Sequence, residues 1–188
     1  VFAMDVARFG NWINADYTRP KVVENYQRRF SVSYPNEELP VARKWNTTPM
    51  YDTWAEQGAV FGAQYGMEVA NYFAALGEDD YETPTFRRSN AFDATAREVM
   101  AVRNSVGINE VHNFGKYRIT GANARDWLDR IMAGRIPKQG RISLAPMLSP
   151  KGKMLGDFTV TCLSETEFLL TASFGMQAIH MRWFEQHK

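Results

Sequence analysis

The sequence predicts an α+β fold with a largely antiparallel sheet. Three β-rich runs follow one another over residues 141–148, 155–162 and 167–173. Only short turns separate them, Pro150-Lys-Gly152 and Ser164-Glu165, and consecutive strands joined by short turns pair antiparallel. Segments with apolar residues at helical spacing flank this group. The second half of the chain therefore has the predicted order α β β α β β β α.

The first half begins with a predicted helix over residues 16–30. Pro20 suits a first helical turn, and the basic residues Lys21, Arg28 and Arg29 are expected on the solvated side. Residues 31–46 contain two prolines and little periodicity, so we expect a loop there. The apolar residues at helical spacing in the helix are Val22, Val23, Tyr26 and Phe30.

Residues 47–75 are unusually aromatic. A helix is predicted to begin at Thr48-Pro49, with Thr48 able to cap it, and to break at Gly58–Gly62. Such a segment is able to line a cofactor cavity, but more often it packs into a core or docks against a neighbouring domain. We favour core or domain interface. The aromatic residues are Tyr51, Trp54, Phe61, Tyr65, Tyr72 and Phe73.

An acidic, proline-containing stretch over residues 77–85 is predicted to be a linker. We place the domain boundary there, which divides the chain into residues 1–85 and 86–188. Further elements are predicted as a helix over 92–106, short strands over 106–108 and 117–120, a helix that begins at 121–124, and a last helix from 176.

Composition excludes several classes of function. The 188 residues carry a formal charge of +1, which gives no strong field for nucleic acid or an anionic membrane. No apolar run approaches the length of a membrane span, and the first residues do not form a signal peptide. The single cysteine, Cys162, is expected to be a small buried hydrophobe in a reducing compartment. Both ends of the sequence look like cuts through a longer chain.

Most common catalytic motifs do not occur in the sequence. The three histidines have no metal-ligand spacing with one another or with Cys162, so we expect no metal site. There is no glycine-rich phosphate loop and no recognisable catalytic triad. His112 follows Glu110 in a loop and is able to act as a general base, although a solvated loop histidine is the simpler interpretation.

One carboxylate, Asp157, lies between the apolar residues Leu155 and Phe158 just inside a predicted strand. An unpaired buried carboxylate is costly, so Asp157 is either a structural acid paired to an amide or a basic side chain, or an acid at a pocket wall. The neighbouring strands would supply Leu144, Met147, Thr171 and Ser173. A wall of one acid, hydroxyls and apolar groups suits a flat heteroaromatic ligand that bears an amine.

Two stretches carry a resemblance to a known family. Residues Phe114–Ala124, then Trp127-Leu128 and Met147–Val160, resemble the start of the glycine-cleavage T-protein (aminomethyltransferase) fold, a tetrahydrofolate-binding domain. The upstream half resembles the region that precedes this domain in dimethylglycine and sarcosine dehydrogenases. The residues that carry this second resemblance are Arg43–Tyr51, Gly58–Gly62, Asn71–Ala74 and Phe86–Ser89.

The resemblance implies a role in one-carbon metabolism. Enzymes of this family use FAD to oxidise an N-methyl amine, and their folate domain captures the released carbon as methylenetetrahydrofolate. Residues 1–85 would be the tail of the FAD oxidoreductase region, and residues 86–188 the first part of the folate domain. The implied partners are a small N-methyl amine, folate, an upstream FAD domain and a downstream folate subdomain. The implied location is bacterial cytoplasm or the mitochondrial matrix.

The resemblance also assigns site residues. Asp157 matches the family's catalytic aspartate, which contacts the N10 region of folate and assists proton transfer. The pattern is not fully kept, because Gly156 replaces a first acid and Leu144 and Ser173 stand where a tyrosine and an asparagine are common. Glu110 and His112 likewise replace an aspartate and a serine. The positions implied to line the folate pocket are Leu144, Met147, Thr159, Thr171 and Ser173.

Two alternatives stay open, and the departures motivate the second of them. The chain would belong to a folate-dependent aminomethyltransferase or demethylase without flavin, or to a binding module that kept the fold without the chemistry. In the flavin-dependent interpretation the chain alone is expected to be an incomplete and inactive part of the whole protein.

Overall fold

The computed structural model describes residues 4–10 and 12–188. They form two compact units. Unit 2 comprises residues 12–112, and unit 1 comprises residues 113–188 together with 4–10. None of the helices within the described ranges is long and apolar enough to cross a membrane.

Unit 2 begins with helix α1, Ala15–Gln27, in which the side chain of Asn14 accepts the amide hydrogens of Asp16 and Tyr17. Its predicted apolar stripe does not enter a core: Val22, Val23, Tyr26 and Phe30 are 59%, 56%, 70% and 95% exposed. The buried residue of the helix is Glu24. Its carboxylate accepts hydrogen bonds from Lys21 Nζ (3.2 Å) and the Val41 amide (3.1 Å), which attach the helix to the following loop.

The aromatic segment contains a β-hairpin that the sequence analysis missed. After a short helix α2, Tyr51–Glu56, strands β1, Ala59–Gln64, and β2, Met67–Phe73, pair antiparallel. Tyr65 and Gly66 join them with φ of 49° and 77°, the conformation that a tight two-residue hairpin turn requires. Thr48 does not cap α2; its hydroxyl instead donates to Glu110 Oε2 at 3.0 Å.

A buried ion pair fixes the proline-containing loop against this hairpin. Glu68 on β2 is 4% exposed, and its carboxylate accepts hydrogen bonds from Arg43 Nη2 (2.6 Å) and the Lys44 amide (3.0 Å). Arg43 also donates to the carbonyl of Phe61 on β1 at 2.9 Å. The loop is therefore ordered by charge-assisted hydrogen bonds, although it lacks regular secondary structure.

Helix α3, Ala91–Asn104, completes unit 2 by packing on the hairpin. Ala94 is 1% exposed and forms a small core with Val60 and Tyr72. The Phe73 amide donates to Glu98 Oε1 at 2.7 Å. Residues 86–112 thus belong to the same compact unit as the hairpin. The boundary after residue 85, between the FAD oxidoreductase region and the folate domain, stays a prediction. The strand predicted over 106–108 does not form, and Val106 and Ile108 are exposed.

Two glycines of unit 2 with similar backbone conformation make a matched test. A Cβ on Gly58 (φ 85°) would lie 2.6 Å from the Ala74 carbonyl oxygen, whereas one on Gly77 (φ 88°) would meet nothing within 4 Å. We expect Gly77→Ala to cost about 1–2 kcal/mol of unfolding free energy from backbone strain alone. Gly58→Ala should cost more because it also pushes against the backbone of Ala74, the residue that follows β2. Urea unfolding of both variants measures the difference, and equal losses would contradict the steric argument.

Unit 1 is built on a four-stranded antiparallel sheet, which confirms the predicted fold class. Its strands are β3, Phe114–Thr120; β4, Ile142–Leu148; β5, Met154–Ser164; and β6, Glu167–Ser173. Their order across the sheet is β3-β6-β5-β4. Helices α4, Ala124–Ile131, and α5, Gln177–Gln186, contribute to its core. The fully buried side chains are Leu128, Met147, Phe158, Val160, Cys162, Phe168, Leu170 and His180.

Candidate functional site

The candidate site is the face of this sheet that does not pack on the core. Along β5 the even-numbered residues Phe158, Val160 and Cys162 are buried, so the odd-numbered residues point to the other side, here called the outer face. Asp157 lies on it, exposed and paired across the ladder with Pro146. The described residues give its side chain no hydrogen bond and no ion pair. They therefore supply no partner for the structural-acid interpretation.

Five of the six predicted site residues share the outer face. Leu144, Thr159 and Thr171 stand opposite one another in a single row across β4, β5 and β6. With adjacent strands about 4.8 Å apart, the three Cα atoms of this row span roughly 10 Å. Asp157 and Ser173 lie two residues beyond the row on β5 and β6. The sheet thus places one carboxylate, three hydroxyls and a leucine that is 79% exposed on one surface.

The sixth residue, Met147, lies on the opposite face. It is 0% exposed and belongs to the hydrophobic core. Leu144 and Met147 are three residues apart on one strand, and odd spacings put side chains on opposite faces of a sheet. Met147 supports the site from below, where its backbone pairs with Gly156. The alternation of side chains along a strand was sufficient to predict from the sequence that Leu144 and Met147 lie on opposite faces.

The outer face also includes residues that the sequence did not predict for the site. Lys116 on β3 pairs with Thr171 and so extends the row to the edge of the sheet. Thr161 and Leu169 form part of the next row with Ile142. The sequence predicted β3 only from residue 117, and without the order of strands it did not indicate which side chains lie side by side.

Directly beneath Asp157, the core contains a polar pair. His180 on α5 is 0% exposed, and its Nδ1 lies 2.9 Å from the hydroxyl of Tyr117 on β3. Burial lowers the pKa of His180, while the Leu155 carbonyl and the Asp157 carboxylate act to raise it. Burial raises the pKa of Tyr117. Both groups are therefore neutral at pH 7. Within the described part of the chain, Nε2 has no partner with hydrogen-bond geometry.

This pair explains the glycine that precedes Asp157. A Cβ on Gly156 would lie 2.5 Å from His180 Nε2 and 2.9 Å from Phe158 Cε2. An acid at position 156 would therefore press a carboxylate into the ring. Gly156 therefore leaves the room that the histidine below it occupies.

The pKa of His180 predicts how stability depends on pH. Because burial lowers its pKa in the folded state, the unfolded chain binds the proton more readily. Stability should therefore fall as the pH drops below about 6.5, the pKa of an unburied histidine, and flatten once the folded protein also binds the proton. Thermal melts between pH 7.5 and 5 measure this slope. His180→Gln should reduce it, and an unchanged slope would contradict the assignment. The pKa values of the Asp5, Glu37 and Glu78 carboxyls are lowered in the folded protein. Their contributions to stability are therefore lost at lower pH than that of His180.

The residues around Glu110 belong to unit 2 and have a structural role there. Glu110 Oε2 accepts hydrogen bonds from the Thr48 hydroxyl (3.0 Å) and from Trp54 Nε1 (2.9 Å). His112 Nδ1 lies 3.6 Å from the same carboxylate oxygen. Glu110 thus joins the start of α2 to the end of unit 2. These contacts account for a glutamate where the family pattern has an aspartate.

The chemistry of the outer face fits a flat, amine-bearing heterocycle. Its exposed carboxylate is able to accept hydrogen bonds from ring or aryl amines, its hydroxyls are able to donate and accept, and Leu144 offers an apolar surface. Within residues 4–10 and 12–188, no group of three or more histidine, cysteine or acidic side chains is placed to hold a metal ion.

Comparisons with known proteins match the chain to two family models and to several relatives. A family model described as "FAD dependent oxidoreductase central domain" matches residues 1–48, and one described as "GCVT N-terminal domain" matches residues 50–188. Mouse "Dimethylglycine dehydrogenase, mitochondrial" is 33% identical over 184 residues, which are 97% of this chain and 21% of the mouse protein. "4-methylaminobutanoate oxidase (formaldehyde-forming)" of Paenarthrobacter nicotinovorans is 29% identical over 178 residues, 93% of this chain and 22% of that protein.

A solved structure supports the fold. The crystal structure of glycine cleavage system aminomethyltransferase T from Bartonella henselae aligns with a TM-score of 0.57 and 17% identity, over 77% of this chain and 36% of that one. The chain spans about a fifth of the length of the curated relatives, 21% of the mouse protein and 22% of the bacterial one. With most of its residues matched by one family model, the chain belongs to the family of the GCVT N-terminal domain.

Proposed function

We propose that the chain is part of a flavin-dependent N-methyl amine dehydrogenase of the dimethylglycine or sarcosine type that passes the released carbon to tetrahydrofolate. One observation carries the proposal: a match to an FAD-dependent oxidoreductase domain is followed directly by a match to a GCVT domain. A single chain that joins these two modules joins amine oxidation to one-carbon capture. The order of modules is the one implied by the resemblance.

In this proposal the outer face holds tetrahydrofolate, which supplies two amine nitrogens, N5 and N10, for the incoming carbon. The carbon arrives at the oxidation level of formaldehyde, because FAD would take the two electrons in the amine oxidation. Its two bonds to the formaldehyde oxygen break as the bonds to N5 and N10 form, and the two N–H hydrogens leave with that oxygen as water. The Asp157 carboxylate accepts the proton from N10 and returns it when the bond is opened. Leu144, Thr159, Thr171 and Ser173 contact the ligand, and Met147 supports them from the core. FAD would be bound by a region outside these 188 residues, because they contain no dinucleotide-binding loop.

The remaining parts of the proposal concern substrate and location. The substrate is a small N-methyl amine, oxidised at the flavin site. The downstream folate subdomain encloses the outer face. The protein works in bacterial cytoplasm or in the mitochondrial matrix; two relatives are named as mitochondrial.

The test uses the full-length flavin-loaded protein with dimethylglycine or sarcosine, with and without tetrahydrofolate. We expect tetrahydrofolate to divert the one-carbon product from free formaldehyde to methylenetetrahydrofolate, without changing the rate of flavin reduction. Formaldehyde release that does not respond to tetrahydrofolate would contradict the folate role. It would favour a second candidate, an oxidase that releases formaldehyde, because the bacterial relative carries the words "formaldehyde-forming" in its name.

A further inference from the structure

Two glycines on different strands make room for the buried Tyr117–His180 pair. A Cβ on Gly115 of β3 would lie 2.8 Å from the Tyr117 hydroxyl, and one on Gly156 of β5 would lie 2.5 Å from His180 Nε2. The pair thus fills the space that two missing side chains leave below the sheet. It reaches the backbone of β5 at the residue next to Asp157.

Packing alone does not account for an imidazole at this place. The rings around His180 are those of Phe158 and Tyr117, with centroids 4.7 and 5.8 Å away. Nε2 has no hydrogen-bond partner within the described ranges, and an unsatisfied buried polar atom carries a free-energy cost. An apolar ring of similar size would remove this cost but would leave the buried Tyr117 hydroxyl without its partner, so the imidazole is present for a reason beyond filling the core.

The direction of the ring indicates that reason. Nδ1 lies 2.9 Å from the Tyr117 hydroxyl, which directs the other ring nitrogen, Nε2, towards β5. Nε2 lies against the Gly156 backbone, where an added Cβ would be only 2.5 Å from it. On the outer face the described residues give the Asp157 side chain no hydrogen bond or ion pair. The position of its carboxylate depends on the backbone that His180 contacts.

We propose that His180, oriented by Tyr117, is a positioning residue that holds the Leu155–Gly156 backbone from the core side and thereby fixes the Asp157 carboxylate on the outer face. This inference rests on the proposed folate role of Asp157. His180 does not touch the ligand in this arrangement; it acts through one peptide segment of β5.

The test compares His180→Gln with His180→Asn in the full-length flavin-loaded protein. A glutamine amide reaches the place of Nε2, whereas an asparagine amide reaches only the place of Nδ1. We expect His180→Asn to lower the yield of methylenetetrahydrofolate about tenfold, with formaldehyde rising to match, because a small misplacement of a catalytic group has a large effect on rate. The half-saturating concentration of tetrahydrofolate and the rate of flavin reduction should stay within about twofold of wild type. His180→Gln should restore most of the coupling.

The controls separate positioning from stability. Ile131→Val removes one methylene from the same core and should leave the product ratio unchanged. If His180→Asn does not fold, Tyr117→Phe keeps the ring and removes only the hydroxyl; it should uncouple the two products partially. Equal product ratios in the asparagine, glutamine and wild-type proteins would overturn the inference, as would a Tyr117→Phe protein that couples normally. If wild type itself shows no folate-dependent product, the proposed function is wrong, and the inference about His180 is then wrong as well.

Discussion

Asp157→Asn in the full-length protein is expected to release the one-carbon unit as formaldehyde while amine oxidation continues. Asparagine keeps the shape of the side chain but does not accept a proton from N10. Because positioned acids and bases contribute about 10²–10⁴ to rates, the formation of methylenetetrahydrofolate should fall by a factor in that range. Asp157 is exposed and free of hydrogen bonds in the described structure, so its substitution should not change the melting temperature by more than about 1–2 °C.

The measurement follows flavin reduction, formaldehyde and methylenetetrahydrofolate in the same reaction. Asp129→Asn, at an exposed position on α4, is the matched control and should behave as wild type. An Asp157→Asn protein with unchanged folate product would remove Asp157 from the chemistry. A loss of flavin reduction in the same variant would show that the residue acts on a different step.

Phe158→Ala should produce the largest loss of stability. Phe158 is 0% exposed, and its ring centroid lies 4.7 Å from His180, 5.7 Å from Phe184 and 6.0 Å from Tyr117. Removing the ring loses its transfer free energy and leaves a cavity, for which we expect about 3–5 kcal/mol of unfolding free energy. Because Phe158 is adjacent to Asp157 on β5, the folate product should decline as well.

Guanidinium chloride unfolding of the variants measures this effect. Phe158→Leu keeps most of the volume and should lose clearly less. Phe30→Ala, at a residue that is 95% exposed, should change the free energy by no more than about 0.5 kcal/mol. A Phe158→Ala loss as small as that of Phe30→Ala would show that the core of unit 1 is not organised around this ring.

The sheet of unit 1 was predictable because its sequence signals are local. Apolar residues alternate along 155–162 and 167–173, and short turns with Gly152 and Ser164 join the strands. The hairpin over 59–73 was missed because its turn, Tyr65-Gly66, has a tyrosine where an asparagine or aspartate is usual. Its aromatic residues also recur at spacings compatible with a helix.

The outer face was predictable only in part. Asp157 and Thr159 are two residues apart on one strand, so the sequence alone places them on the same face. The row from Leu144 to Thr171 depends in addition on strand order and register. The apolar stripe of α1 shows a case in which a clear sequence pattern predicted a buried face that the structure leaves exposed. Val22 and Tyr26 have the spacing of a buried face, yet periodicity does not state what the face packs against, and here it is exposed. His180 gave little sign of its role, because a buried histidine has no local sequence pattern.

The contact between Gly156 and His180 has a consequence for how this sequence is able to diverge. The two positions lie on different elements, β5 and α5, yet the ring at 180 excludes any side chain at 156. We therefore expect them to change together: homologues with an acid at the position of Gly156 should have a residue smaller than histidine at the position of His180. A side chain introduced at position 156 alone would clash with the ring, and a smaller residue introduced at position 180 alone would leave a cavity. In evolutionary terms the pair is a linked double substitution, and it offers a marker for this branch of the family.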